Sequence, residues 1–484
     1  MDPARRPLIA LLLSALVLTL LVSASRRRPS RPEPQHLDIN RSFAVTDTVI
    51  LDGFSFERVM NTLVERSGVR GMSATMLYQQ WFDTQNPKPG LVSADSPHCD
   101  DFLTDGKPSF NNFPRRCPTP EGALAITNPF VPPSYIPLAL INRFDMTPAD
   151  GSNCGQYRVI FAKTDNIAPL DRVHLIFEAA LPNPDPSTGL AGCKPVAQFW
   201  AELSSIDSIA ERRARLENFF FTGISGFAPV IHPDHLSRAA GGSVRSLHYT
   251  SGARVGPRFY QFRLEKTCSS SACSLTMQPD VLENTITGRL FDGNNQTPIA
   301  QRFRKEFLRQ VESLSIRDVN GYFMNIPSEY LLAESDPGSG EYALFYGIAF
   351  TVGRFSAEGR KFHEDIQAEL NRIGSPLKPL DLVSRAETQT CVGCHFVAGP
   401  IGAGEVFPRS LFGFEHLSEI IREPGEAGPR FSISPAMRDV FIPHRMEILR
   451  QFLSAGTAPV HSNSPDDDAT TANQITLGGG RLVH

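Results

Sequence analysis

Apolar residues recur at helical spacing between Phe54 and Gly68 (FSFERVMNTLVERSG), where Phe56, Val59, Met60 and Val64 fall on one face. That spacing predicts a helix. Farther along, the pattern shortens to strands. Tyr157–Ala162 (YRVIFA) and Val173–Ala179 (VHLIFEA) are short, β-branched and aromatic. Phe259–Lys266 (FYQFRLEK) alternates as a half-buried strand does. Helices are predicted over Val196–Ile206 and Ile209–Phe221, over the amphipathic run Ile299–Ile316, and over Ser356–Ile373, which Pro376 and Pro379 end. A last helix lies near Arg445–Phe452. From Asn86 to Pro120 turn-forming residues dominate and predict loop. No internal repeat of fixed period is present. These elements predict a mixed α+β domain over 38–290, mostly antiparallel sheet with helices. A helical connector over 291–375 and a small all-α unit over 376–456 complete the expected fold.

The chain begins differently. Arg5 and Arg6 precede the apolar run Leu8–Ala24 (LIALLLSALVLTLLVSA), which ends in small residues. A basic start, an apolar stretch and a small-residue end form the pattern of an export signal over residues 1–24. The run is also at the lower limit for a bilayer-spanning helix, so a retained anchor is the alternative. Arg26, Arg27, Arg28 and Arg31 follow it, and positive charge there opposes translocation. A buried helix of the folded domain is the third reading, which the lack of any polar face in the run disfavours. Export places the rest of the chain in the periplasm or outside the cell. Residues 25–37, rich in Pro and Arg, are expected to be a flexible spacer, and 457–484 a solvated, disordered tail.

Composition narrows the function. The 484 residues are 41% hydrophobic and 20% charged, enough for a sizeable core and too apolar for wholesale disorder. The net charge of -4 does not look like that of a nucleic-acid binder, which normally carries a strongly basic face. Membrane contact is expected only through residues 8–24, if they are retained.

One motif carries chemistry. Cys391-Val392-Gly393-Cys394-His395 is C-x-x-C-H, the attachment sequence of a c-type haem. Two thiols three positions apart on a helical turn can each add to one vinyl group of a haem edge, and the adjacent imidazole then faces the iron. Cys391 and Cys394 are therefore the candidate covalent sites and His395 the proximal ligand. Two other uses of C-x-x-C compete. A dithiol redox pair belongs to a thioredoxin-like βαβ context that is not seen here. A zinc site needs a second ligand pair at finger spacing, and none follows.

TCVGCH, followed by Ala398–Gly404 (AGPIGAG), resembles the haem-binding segment of bacterial class I c-type cytochromes. The resemblance covers about 75 residues, from Pro376 to Phe452, and is specific only at the haem motif. It implies an all-α cytochrome c-like unit, one covalent haem c, and a Met downstream as the sixth ligand. Met437, in Ser434-Pro435-Ala436-Met437, is the first candidate, His444 the second and Met446 the third. The plain alternative for Met437 is a core residue. The segment Pro376–Leu382 departs from the family by intervening before the motif, so the unit is expected to lean on the helix over Ser356–Ile373 and on the larger domain. A single C-x-x-C-H argues against dihaem peroxidases and multihaem wires.

The six other cysteines, in an exported chain, are expected to pair. Fifteen connectivities are possible. Neighbourhood in sequence favours Cys99–Cys117, Cys154–Cys193 and Cys268–Cys273. Weaker signals are His232 and His235, read as a loop rather than a metal site, and the polar cluster Asn142, Arg143, Asp145 and Asp150, read as a buried Arg–Asp pair closing a loop. No G-x-S-x-G, P-loop or dinucleotide fingerprint follows a plausible strand.

Three functions remain open. The first is an exported electron-transfer haem protein that meets a redox partner protein or a small-molecule electron donor or acceptor. The second is a haem-dependent oxidoreductase with its active site in the larger domain. The third is a secreted, non-redox binding module with a structural haem.

Overall fold

The computed structural model describes residues 36–132, 134–163, 172–250, 256–270, 272–336, 345–396, 399–411 and 415–455. The export run at 8–24, the spacer up to residue 35 and the tail from 457 lie outside the described residues.

The β-rich stretches assemble into one eight-stranded sheet. Its strands are β1 (Ala44–Val45), β2 (Tyr135–Arg143), β3 (Asn153–Lys163), β4 (Arg172–Pro182), β5 (Ser243–Thr250), β6 (Gly256–Cys268) and β7 (Cys273–Asp280), paired in that order. An eighth strand, β8 (Glu334–Ser335), pairs with β6 beside β7, and every pairing is antiparallel. The three stretches expected to be strands lie within β3, β4 and β6.

Because side chains alternate along a strand, the register sorts the sheet into two faces. Tyr157, Val159, Phe161, Leu175, Phe177, Val244 and Phe262 share one of them, and all are buried. Four helices cover that face: α1 (Phe56–Ser67), α2 (Ala74–Asp83), α3 (Lys194–Leu203) and α4 (Ile209–Phe221). Trp81 of α2 meets Phe177 and Phe262 edge-on, at 6.1 and 5.6 Å between ring centres. Trp200 of α3 stacks on Tyr157 at 5.7 Å. Helix α1 starts where the Ser55 hydroxyl accepts the Arg58 N–H, and it ends at Gly68 in the left-handed region, the residue best suited to that conformation.

The opposite face carries Arg158, Arg172, His174, Glu178, Arg245 and Gln261, and all six are buried. On sequence alone β6 reads as half-buried. In the fold both of its faces are buried from Phe259 to Phe262, because the C-terminal segment lies over the polar side.

That segment follows α5 (Pro298–Phe307), α6 (Tyr346–Gly353) and α7 (Ala357–Arg372). It consists of α8 (Pro379–Glu387), α9 (Cys391–Phe396), the hairpin β9 (Pro400–Gly402) with β10 (Glu405–Val406), the hairpin β11 (Leu417–Pro424) with β12 (Pro429–Ile433), and α10 (Ile442–Ala455). The expectation of an all-α unit is corrected here. Ala403 and Gly404 both take positive φ, the geometry of a two-residue hairpin turn. Between β11 and β12 the Pro-Gly-rich stretch Pro424–Gly428 makes the reversal.

The three disulfides are those that sequence neighbourhood favours: Cys99–Cys117, Cys154–Cys193 and Cys268–Cys273. The expected loop from Asn86 to Pro120 is loop in the main, with a short meander at Leu103–Thr104, Lys107–Phe110 and Phe113–Pro114.

Candidate functional site

Helix α9 is the C-x-x-C-H motif itself. Its first turn is fixed by the Thr390 hydroxyl, which accepts the Gly393 N–H at 2.8 Å. Gly393 cannot be replaced without movement, since a Cβ there would lie 1.7 Å from the Glu387 carbonyl oxygen. Two contacts hold α9 against the polar face of the sheet. The Val392 N–H donates to Ser335 Oγ on β8 at 3.2 Å, and the His395 ring lies 4.8 Å from that of Phe259 on β6. The motif therefore leans on the larger domain.

Cys391 and Cys394 are 3% and 2% exposed, and they remain free thiols although they share one helical turn. Burial pushes the Cys391 thiol up to about 11, against the opposing pull of Arg245. Burial and the neighbouring Cys391 push Cys394 well above the ordinary thiol value. Both sulfurs are protonated at neutral pH.

A residue absent from the sequence-derived candidates completes the cluster. His416 Nε2 is 3.1 Å from Cys394 Sγ, and its ring meets that of His395 edge to face at 4.5 Å. The other ring nitrogen, Nδ1, is 2.8 Å from Ser434 Oγ. Burial, with the charges of His395 and Arg445, holds His416 well below the usual imidazole range. Thiol, imidazole and hydroxyl thus form a chain that resembles a nucleophile, its base and an orienting group. Burial drives the thiol up and the imidazole down, so the pair stays neutral and the thiol is not activated. His416 has no sequence signal of its own. It stands in Glu415-His416-Leu417, 22 residues after Cys394, and only the fold returns it to the motif.

Met437 is buried at the start of a π-helical turn, Ala436–Phe441. Its N–H donates to the same Ser434 Oγ, at 3.2 Å. Ser434 therefore joins His416 to the Met437 backbone. His444 is half-buried on the first turn of α10, and Met446 is half-buried on the same helix. The weaker signals resolve as local structure. Arg143 and Asp145 form a bidentate pair at 2.9–3.1 Å. Asn142 donates to the Ser42 carbonyl, and the exposed Asp150 accepts the Ser152 N–H. His232 and His235 sit in a tight turn with ring centres 5.0 Å apart, and burial lowers His235 to about 4. Among the described residues no group of three or more His, Cys, Asp or Glu is placed to hold a metal ion by itself. A cavity of about 700 Å³ is lined by Phe102, Phe110, Arg115, Arg238 and Arg263 among others, and no motif residue lines it.

The donor set suits a covalently held haem. Two unpaired thiols lie on one turn with an imidazole next to them, an aromatic ring backs that imidazole, and a second imidazole adjoins it. The neighbouring sheet face is cationic, with Arg158 Nε buried and lacking a hydrogen-bond partner among the described residues. Cys391, Cys394 and His395 are the residues that would hold such a group, and His416 Nε2 adjoins the second sulfur.

A second anchor fixes the C-terminal segment to the sheet. Arg172 pairs with Glu415 and Glu419, and His174 Nε2 lies 3.0 Å from Glu419. Burial raises the Glu419 carboxyl, but the hydrogen bonds and charges of His174 and Arg172 outweigh it and hold the group down at about 2. A depressed carboxylate stabilises the fold above its unfolded value and loses that contribution as pH falls through its folded value. Stability is therefore expected to drop by on the order of 3 kcal/mol as pH falls from about 4.5 toward 2. Denaturant unfolding across that window is expected to show the loss in the wild type and a flatter profile in Glu419→Gln.

Among the described residues no helix is long and apolar enough to cross a membrane. Set against protein-family models, curated proteins and solved structures, the chain matches none of them.

Proposed function

We propose that the chain is an exported electron-transfer protein that holds one haem c through Cys391 and Cys394, with His395 as proximal ligand. The partition of the cysteines carries this reading. Six of the eight pair as disulfides, while the two of the motif stay apart as thiols on a single turn, beside a histidine. Disulfides form and persist outside the reducing cytoplasm, where covalent haem attachment also takes place, so the two features support one compartment. The segment 376–456 then acts as a cytochrome c-like unit seated on the sheet of the larger domain.

Bound there, a haem supplies a reversible one-electron couple. The protein's part is to fix, shield and tune it. Helix α9 sets the two sulfurs and the His395 ring in one register. Phe259 packs against that ring. Met437 is the proposed sixth ligand, because it is buried and Ser434 ties its backbone to the imidazole beside Cys394. The partner is a redox protein or a small electron donor or acceptor that approaches the motif's edge.

The test uses the full chain expressed with the haem-attachment machinery. Intact mass is expected to show one haem per chain that survives denaturation, and potentiometry one reversible electron. The oxidised protein is expected to show the weak far-red absorption of thioether ligation, and Met437→Ala to abolish it. A spectrum of two-imidazole ligation that Met437→Ala leaves unchanged would instead assign the sixth position to His416. A chain that emerges without pigment would overturn the function.

A further inference from the structure

The short meander between Leu103 and Pro114 is held at its base by the Cys99–Cys117 bridge. The cavity of about 700 Å³ is walled by this meander and by β6 and β7, and it is large enough for a small organic molecule. Phe102 and Phe110 meet there edge to face, with ring centres 6.3 Å apart, and make an apolar corner. Phe102 is 64% exposed, although so large a ring gains by being covered.

The charged groups of the lining are paired, with one exception. Arg238 Nη2 and Arg263 Nε each donate to Asp280, both at 2.6 Å. Asp101 pairs with Lys88 at 2.7 Å and accepts the His98 N–H at 2.8 Å. Glu265 accepts the Arg238 N–H at 2.8 Å. Arg115 differs. It is 6% exposed, its Nη2 donates to the Thr84 carbonyl at 3.3 Å, and its Nε has no hydrogen-bond partner among the described residues. No carboxylate among those residues lies within ion-pair distance of it, and Glu334 and Asp101 act on it by charge from farther off. Its guanidinium stands 5.7 Å from the centre of the Phe110 ring. A buried guanidinium without a carboxylate is costly, and its planar fork matches one.

We propose that this cavity binds a small aromatic carboxylate, with the carboxylate on Arg115 and the ring in the corner of Phe102 and Phe110. One such ligand supplies both the charge partner that Arg115 lacks and the cover that Phe102 lacks. Arg238, whose side chain is 66% exposed, adds attraction for an approaching anion. Neither the C-x-x-C-H motif nor a haem contributes to this site.

The experiment titrates phenylacetate into the full chain by isothermal calorimetry. The wild type is expected to bind one equivalent. Phenylacetamide has the ring without the charge, and acetate the charge without the ring. Each is expected to bind at least about tenfold more weakly than phenylacetate. Arg115→Met is expected to weaken phenylacetate by about tenfold or more, and Phe102→Ala by about fivefold. If Arg115→Met does not accumulate, Phe102→Ala, at an exposed position, and the two comparison ligands carry the test. A chain without pigment is expected to bind phenylacetate equally well, so the haem reading can fail and leave this one standing. Octanoate bound as tightly as phenylacetate would reassign the cavity to aliphatic acids and overturn the aromatic assignment. Wild-type affinity in Arg115→Met, or no saturable heat with phenylacetate at millimolar concentration, would overturn the proposal.

Discussion

Glu178→Ala is expected to destabilise the protein by about 3–5 kcal/mol. The carboxylate has no exposure and is the common partner of Arg158 and Arg245, each at 3.1 Å, while Ser243 Oγ donates to it at 2.5 Å. Burial by itself raises the Glu178 carboxyl. The charges of Arg158 and Arg245 and the Ser243 hydrogen bond outweigh burial and hold it below its ordinary value. Removing it leaves the guanidiniums of Arg158 on β3 and Arg245 on β5 facing the vacated position on the strand between them. Arg158 is lowered to about 10, burial being the main cause and Glu178 the main opposing influence. Denaturant unfolding of the full chain measures the loss. The double variant Glu178→Ala, Arg158→Met is expected to recover part of it, because removing both members of a buried pair costs less than removing one. A single variant within 1 kcal/mol of wild type would mean that water reaches this face of the sheet.

Breaking Cys154–Cys193 is expected to cost about 4 kcal/mol, against about 2 kcal/mol for Cys268–Cys273. The difference follows from loop length, since the first bridge closes 39 residues and the second only 5. Cys154 and Cys193 are fully buried, and their bridge ties the start of β3 to the residue before α3, next to the stack of Trp200 on Tyr157. Paired Cys→Ala variants compared by equilibrium unfolding give both values. The opposite order of stabilities would show that the bridges act through local native packing instead of through the unfolded chain.

Much of the scaffold is legible because its signals are local. Ser55, Ser208 and Ser356 cap their helices through side-chain hydrogen bonds, and the apolar spacing after each sets the buried stripe. The disulfides follow neighbourhood because a hairpin end or a short crossing brings each pair together. The polar sheet face is not legible in this way. Arg158, Glu178 and Arg245 occupy alternate strand positions, which ordinarily means a solvated face. They are buried because a segment more than 130 residues downstream lies over them, and periodicity carries no record of that cover. The strands of the C-terminal unit are hidden for a related reason. Its helical expectation came from the resemblance, while Ile420 and Ile421 ahead of Pro424-Gly425 are the local cue to a hairpin.

At the site, the motif gives Cys391, Cys394 and His395 by spacing alone. His416 escapes notice because a lone histidine in a short polar stretch has no periodic or motif context. Its meaning comes from two contacts, Cys394 Sγ at 3.1 Å and the His395 ring at 4.5 Å.

The pyridine haemochrome spectrum of the secreted protein, taken after acid–acetone extraction, tests the haem assignment most directly. The wild type is expected to keep its pigment with the protein and to give the band position of a haem whose two vinyl groups have been saturated. The double variant Cys391→Ala, Cys394→Ala is expected to release any pigment into the solvent. Colourless wild-type protein, or colour that stays bound after both sulfurs are gone, would contradict the account.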